Sequence, residues 1–509
     1  MIQFITKLLL FLIFILFFSL KFQAQVISSK VVDSITKEPI PYATIIFRKS
    51  GVMTNEEGRF SFLFKKDARP TDSLLISCIG FKTLKKPLNQ FTDSVIVLAP
   101  SITVLKEVIL TDKQYTAKQI IEKVKENIDK NYNFDLTRKR LFFRQSSHQN
   151  LAKLNYTLKK STIKALNKSF LDSALQSIPK QNFYYTEILC DLYGDFSKEK
   201  QKINLIKASE LYDKNNEIGL TALEEKFKKI IDKNVKSDSY FKVKSGLFGQ
   251  KLTMDEFIGE EIDSIDTTAL QKKLEEEKKS EADKKANFAK YRKSSLVNMM
   301  DKLFFQEKTK LNFIRKSSRY EFKMLDLTYL NDNAVYVIAF EPKGSSDYKG
   351  TLYINYDDFA IIRVDYQNVK AIKSFKLLGV SFKHFLSRGK MIFSKGKDER
   401  YSLQYLESEG ASRFGIKRPL KIIEKNKHVK GRRKQNELYI KLDMAMLNNV
   451  KNEVVVFSTE KITATTFDSF KEKNTTLPTY MLAYNPEFWK GYNIIEPNKA
   501  IKNFTVIED

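Results

Sequence analysis

Between Val26 and Leu110, short β-branched and aromatic runs are cut by turn residues at close intervals. That punctuation leaves room for little but a small all-β domain. Thr44–Arg48 reads as a strand, and Glu56-Glu57-Gly58 as a turn with Gly58 where a positive φ is needed. Arg59–Phe64 returns with Phe60, Phe62 and Phe64 on one face by period two. Ser73–Ile79 and Ser94–Leu98 read as further strands. Pro39 and Pro41 suit an edge or entry segment, because proline cannot donate to a ladder.

The residues before this block set an expectation for compartment. Met1–Gln25 has a basic start at Lys7, an apolar run from Leu8 to Leu20 and a small residue, Ala24, before Gln25. This is the layout of a secretory signal peptide. The run is 13 residues long, short of the roughly 20 that span a bilayer. The expectation is an exported chain, periplasmic or associated with the outer membrane. An uncleaved anchor is the alternative, since Phe22 is large for the position three before the cut. No cysteine closes the apolar run, so no lipid-anchored start is expected, and no later segment reads as a second span. Cys78 and Cys190 are the only cysteines. They fall in different predicted domains and are expected as separate buried thiols. Two cysteines exclude a disulfide framework or a Cys-rich metal site.

A net charge of +27 raises the question of nucleic acid. Only 16 of the 88 basic residues are Arg, the residue favoured for bidentate phosphate recognition. An exported, Lys-rich chain is therefore expected to bind no nucleic acid, and its surplus reads as solubility with attraction to anionic surfaces.

Five regions follow from the patterning: a signal peptide at 1–25, a β-sandwich at 26–112, a mostly helical region at 113–305, an antiparallel β domain at 306–470 and an aromatic tail at 471–509. The fold class expected is α+β multidomain. Ile120, Ile121, Val124 and Ile128 recur at helical spacing, and Leu141–Gln145 reads as one strand inside the helical region. Leu270–Arg292 reads as a charged, solvated helix whose Glu and Lys residues support one another. Beyond Lys310 alternation returns, with Leu352, Ile354 and Tyr356 on one face and Ile362, Val364 and Tyr366 on the returning strand. Val380–Phe385, Met391–Ser394, Tyr401–Tyr405, Leu438–Met444 and Val454–Phe457 continue the hairpins into a curved, half-barrel-like sheet. Lys417–Lys434 reads as a basic loop or hairpin tip. The tail Tyr484–Asn493 holds the single Trp and is expected to pack on its own chain.

Three steps in order, Pro39-Ile40-Pro41-Tyr42-Ala43, Asn55-Glu56-Glu57-Gly58-Arg59-Phe60 and Ile79-Gly80-Phe81, resemble the carboxypeptidase-regulatory-like domain of exported Bacteroidota proteins. The resemblance covers roughly the first 110 residues and implies a transthyretin-like β-sandwich. The same domain extends many TonB-dependent transporters. Ala117–Ile121, Asn131-Tyr132 and Phe142-Phe143-Arg144 resemble the segment that follows the domain in a group of uncharacterised Bacteroidota proteins, where Gln145 is usually Glu. Phe488-Trp489 to Tyr492-Asn493 resembles that group's closing motif, and Gly350–Ile354 resembles lipoprotein-carrier (LolA-like) half-barrels. The resemblance implies no activity, and a shared accessory fold confers no peptidase chemistry.

The sequence carries no recognisable catalytic spacing. His148, His384 and His428 have no acidic residue three or four positions on, so no His-Glu-x-x-His zinc helix exists. Nucleophile elbows and phosphate loops are absent from the sequence. His384 alternates with Val380 and Phe382 and reads as a core or interface histidine. Asp357-Asp358 and Glu56-Glu57 are turn pairs. No catalytic, cofactor-binding or metal residue is assigned, and no cofactor. A transporter barrel of about 22 strands needs more chain than remains. The reading is an exported, non-enzymatic envelope binding or accessory protein. Its concave sheet face would recognise an outer-membrane or envelope protein, a lipid or a glycan; the oligomeric state is left open. The alternatives are an envelope hydrolase whose carboxylates meet only in the fold, and a structural partner of a transport or secretion machine.

Overall fold

Strands dominate the chain, 51% of it against 18% in helices. The computed structural model describes residues 26–48, 50–64, 67–91, 95–101, 115–254, 279, 283, 287–331, 333–473 and 475–506, without the side chains of 216–221. Residues 1–25, where a signal peptide is expected, and most of the charged stretch 270–292 lie outside the described residues. Two compact units emerge: residues up to Pro100 with Pro486–Glu496, and Ser101–Asn485 with Pro497–Asp509.

The first unit has two sheets. β1 (Val26–Asp33) lies between β4 (Arg59–Leu63), antiparallel, and β7 (Val95–Leu98), parallel. The second sheet runs β3 (Ser50–Met53), β2 (Thr44–Phe47), β5 (Ser73–Ser77), β6 (Leu84–Pro87). Phe60, Phe62 and Phe64 are all buried, as period two predicts. Phe47 of one sheet meets Phe62 and Phe64 edge-on, with centroids 6.2 and 5.1 Å apart, so the core lies between the sheets. The turn before β4 is built by Asn55, whose Oδ1 accepts from the Glu57 and Arg59 amides at 3.0 and 2.9 Å. Gly58 has φ +72°, and a Cβ there would lie 2.5 Å from the Val31 carbonyl oxygen. Only glycine fits that turn. The aromatic tail completes this unit. The Leu63 amide donates to Asn493 Oδ1 at 2.7 Å, the Asn55 amide nitrogen donates to the Glu496 carbonyl at 3.3 Å, and Trp489 is buried.

The second unit is organised by one 14-stranded sheet. Its members are β8 (Thr137–Ser161), β9 (Gln181–Gly194), β10 (Gln201–Tyr212), β11 (Tyr240–Ser245), β12 (Phe248–Thr253), β13 (Tyr320–Leu330), β14 (Asn333–Pro342), β15 (Tyr348–Asn355), β16 (Ile361–Asn368), β17 (Lys373–Leu377), β18 (Val380–Lys395), β19 (Tyr401–Lys425), β20 (Lys434–Lys461) and β21 (Thr479–Met481). The order is β13-β14-β15-β16-β18-β19-β20-β8-β9-β10-β21. β17 pairs with β18, and the β11–β12 hairpin pairs with β19.

Three expectations are corrected. The region 113–305 is not mostly helical, because it supplies β8 to β12 to the same sheet as the C-terminal strands. Ser146–Ser161 is rich in Ser, Gln, Asn and Lys and reads poorly as strand, yet pairing with β20 along that length overrides local preference. The short C-terminal strands fuse into β18, β19 and β20, of 16, 25 and 28 residues. Residues 417–425 of the expected basic loop are strand, and the turn is confined to 426–433.

The helix Ala117–Asn131 is the one the spacing predicts. Thr116 and Gln119 form a capping box, and Ile120, Ile121, Val124 and Ile128 are buried. Its end is pinned by Asn131, which donates to the Asp358 carbonyl at 2.7 Å, and by Tyr132, whose hydroxyl donates to the Ile361 carbonyl at 2.8 Å. Tyr132, Phe304 and Phe305 pack on Phe393, and Phe313 stacks on Phe340 at 4.4 Å. Part of one face of the sheet is thus covered by the chain itself.

Candidate functional site

Strand register builds a line of charge across the sheet. Ser209 pairs with Glu187, Glu187 with Arg144, Arg144 with Glu453, Glu453 with Glu407, Glu407 with Lys390, and Lys390 with Asp365. Directly opposed residues share a face, so one polar row crosses β10, β9, β8, β20, β19, β18 and β16. One position along each strand, on the opposite face, runs Ala208, Ile188, Phe143, Val454, Leu406, Met391 and Val364, all buried.

From Ser209 to Glu407 the polar row is buried as well, and its end at Lys390 and Asp365 is half-buried. Arg144 is 2% exposed and Glu187 0%. Their pair closes through Nη2 at 2.6 Å and Nε at 2.7 Å to Glu187 Oε1, while Ser209 Oγ donates to Oε2 at 3.3 Å. Burial opposes the Arg144 charge, but Glu187 and Glu453 outweigh it and hold the guanidinium above its ordinary pKa. Tyr185 of β9, on the same face, meets Phe504 edge-on at 5.6 Å, so the C-terminal segment touches this face beside Glu187.

At the centre of the row two carboxylates meet. The Tyr405 hydroxyl, on the same strand face, donates to Glu407 Oε2 at 2.9 Å and to Glu453 Oε1 at 3.3 Å. Lys451 Nζ lies 3.3 Å from the first carboxylate and 3.4 Å from the second. Further along, Asp365 is held by Lys390 and by Arg363 at 2.8 Å. Burial raises the Asp365 pKa, yet the two cations overcome it and leave the carboxyl below its ordinary value. Lys390 is pushed down by burial and by Arg363.

Glu187, Glu453, Glu407 and Asp365 thus sit among Arg144, Lys451, Lys390 and Arg363 in equal number. An interior admits charge only when it is paired and hydrogen-bonded, and this row meets that condition by itself. Paired buried carboxylates are also the usual material of acid–base catalysis. A substrate here would have to displace Lys451 or Tyr405 from the carboxylates.

None of this was visible as a motif, because the members lie from tens to hundreds of residues apart. The readable trace is a charge inside an apolar run, as in Phe142-Phe143-Arg144 and Glu187-Ile188-Leu189. The residues singled out from the sequence sit elsewhere. His148 stacks on Phe183 with centroids 4.2 Å apart. His384 lies half-buried in β18, and the His428 amide donates to Asn426 Oδ1 in an exposed turn. Asp357-Asp358 is a turn whose amides donate to Asn355 Oδ1, and Asp358 also accepts from Tyr401 and Lys395. Glu56-Glu57 is the turn before β4. Cys78 and Cys190 are both buried, and burial pushes the Cys190 thiol far up. Among the described residues, no group of three or more His, Cys, Asp or Glu is placed to hold a metal, and no helix is long and apolar enough to cross a membrane.

No curated protein matches the chain. Among solved structures, a LolA superfamily protein from Nitrosomonas europaea is similar at 10% identity and a TM-score of 0.16, over 65% of this chain and 93% of its own. The MucA/MucB complex of Pseudomonas aeruginosa is similar at 8% and 0.14, over 68% and 99%. Similarity at that level transfers no role. A family model is more definite and falls on the segment that holds the Gly58 turn and the Phe60, Phe62 and Phe64 core. Residues 27–110 match the CarboxypepD_reg-like domain model, and that portion of the chain is a domain of this family.

Proposed function

We propose that this chain is an exported envelope binding or accessory protein, not an enzyme, and that it recognises a protein, lipid or glycan partner. The observation that carries the reading is the self-neutralised charged row. Glu407 and Glu453 are buried and engaged by Lys451 and Tyr405, which is how an interior stores charge for structure. The CarboxypepD_reg-like domain supports the same reading, since the motifs it carries resemble those of exported envelope proteins.

The test is a cross-linked pull-down of the tagged protein from fractionated envelopes, with mass spectrometry of proteins and lipids. One dominant protein, lipid or glycan supports the proposal. One stoichiometric membrane protein points to the structural partner of a transport or secretion machine. Recovery only from the cytoplasmic fraction sinks the compartment.

A hydrolase is the second reading, and the meeting of Glu407 with Glu453 favours it. Screening of peptide, glycosidic and ester substrates tests it. Turnover abolished in Glu407→Gln or Glu453→Gln, with the melting temperature retained, would overturn the non-enzymatic reading.

A further inference from the structure

Two hairpin tips converge on the edge of β19. The β17–β18 turn reaches it at 416–417, where Val380 pairs with Ile416 and the Lys417 amide donates to the Gly379 carbonyl at 2.6 Å. The β11–β12 hairpin takes over the same edge from Lys421, which pairs with Lys244. Arg418 ties the tips together. Its guanidinium donates to the Ser245 carbonyl and lies 5.0 Å from the Phe248 ring centroid, and its Cγ would be 3.0 Å from a Cβ at Gly379.

The tips are apolar and open to solvent. Leu247 is 90% exposed, Leu377 67%, Phe248 59%, Leu378 51% and Phe375 45%. One or two exposed apolar residues need no explanation, but five on two adjoining hairpin ends do. Leu378 adds a cost. It has φ +48° beside Gly379 at φ +79°, the left-handed pair of a tight hairpin turn, where asparagine before glycine is preferred. A leucine held in a disfavoured conformation, with its side chain in water, points to use rather than folding.

Charge identifies the occupant. Residues 240–253, 373–384 and 410–421, the three segments that meet here, hold ten Lys or Arg and no Asp or Glu. On neighbouring β20, Glu437 is already held by Lys421 and Lys434, and Asp443 by Lys153. Exposed leucine and phenylalanine inside a lysine rim match a bilayer surface with anionic headgroups: the apolar tips enter the interface and the lysines remain among the phosphates.

We propose that the adjoining β11–β12 and β17–β18 tips dock this protein on an anionic phospholipid surface. The envelope-binding reading supplies only the choice of membrane; the physical claim stands apart from it.

Flotation of the purified protein with phosphatidylcholine vesicles, with and without phosphatidylglycerol, tests the site. Binding is expected only with phosphatidylglycerol, and is expected to weaken as salt rises. The variant Leu247→Asp/Leu377→Asp/Leu378→Asn should bind roughly tenfold more weakly or worse with an unchanged melting temperature, since asparagine suits the turn. In Leu247→Trp, brominated lipid should quench a new emission that buried Trp489 does not give. No flotation, salt-independent flotation on neutral vesicles, or undiminished binding of the triple variant overturns the proposal. So does a concentration-dependent dimer lost in that variant, which would make the patch an interface between copies. A partner still recovered from envelopes in any of those cases leaves the envelope-binding reading intact.

Discussion

The same three strands live two lives. In their inner half, β8, β19 and β20 are buried on both faces: Leu141–Arg144, Leu403–Glu407 and Glu453–Phe457 are all out of water. In their outer half they are amphipathic. Leu438, Ile440, Leu442, Met444 and Met446 of β20 share one face with Phe414, Ile416, Leu420 and Ile422 of β19, and every one is only half-buried. The other face carries Lys417, Lys421, Lys441, Asp443 and Glu437. The apolar cluster of Ile163, Leu166, Ile231, Val235 and Phe241, with Ile422 and Leu438 packed against it, closes the far end. At about 3.3 Å per residue, the 28 residues of β20 run on the order of 90 Å, far past the packed core. The inner half is built for stability. The outer half extends strands beyond what the core requires, and its surplus apolar surface is available for contact.

If that division holds, the inner half should be far less forgiving than the outer. Phe143→Ala, at 0% exposure, is expected to cost about 3–5 kcal/mol in denaturant unfolding. Glu187→Gln, which leaves Arg144 buried without its counter-charge, should cost a similar ~3–5 kcal/mol. A loss below about 1 kcal/mol at Glu187 would show that water reaches the row, and one at Phe143 that the opposite face is loosely packed.

Lys139 sharpens the contrast in the opposite direction. It is buried, donates to Thr137 Oγ1 and the Gly194 carbonyl, and burial brings its pKa from 10.5 down to about 8. Between pH 8 and 10.5 the unfolded chain keeps a proton that the folded chain has released, so stability should rise with pH across that window. Lys139→Met is expected to stabilise the protein by about 2 kcal/mol at pH 7, with the gain fading towards pH 10.5. Melting curves of both proteins across that range decide it.

In the outer half the effects shrink. Glu437, held first by Lys421 and then by Lys434 and Lys160, has its pKa lowered from 4.5 to about 2. Its contribution is complete above pH 4.5 and is lost as pH falls towards 2. The lysines are partly in water, so Glu437→Gln should cost only about 1–2 kcal/mol at neutral pH and nearly nothing at pH 2. Met444→Ala should cost about 1 kcal/mol or less, measured by the same unfolding curves; a core-sized loss would erase the distinction between the halves.

Parts of this were legible from residues in order. Phe60, Phe62 and Phe64, the helix at Ile120–Ile128, and Leu352 with Ile354 opposite Val364 are local periodicities, and all are buried as their spacing predicts. The Gly58 turn is a steric demand that one residue announces. By contrast, Asn448, Asn449 and Asn452 are of a residue type that favours turns, yet they pair in the middle of β20. Hydrogen bonds to strands on both sides decide their conformation, and those strands are remote in sequence. Sequence by itself determined the periods, the turns, the charge surplus and the domain at 27–110, because each depends on neighbours along the chain. Tertiary structure alone decided that β8 joins β20, that Glu407 faces Glu453, and that two leucine tips meet at Arg418. Those facts depend on register between strands up to hundreds of residues apart, and register is set by which faces can be buried together.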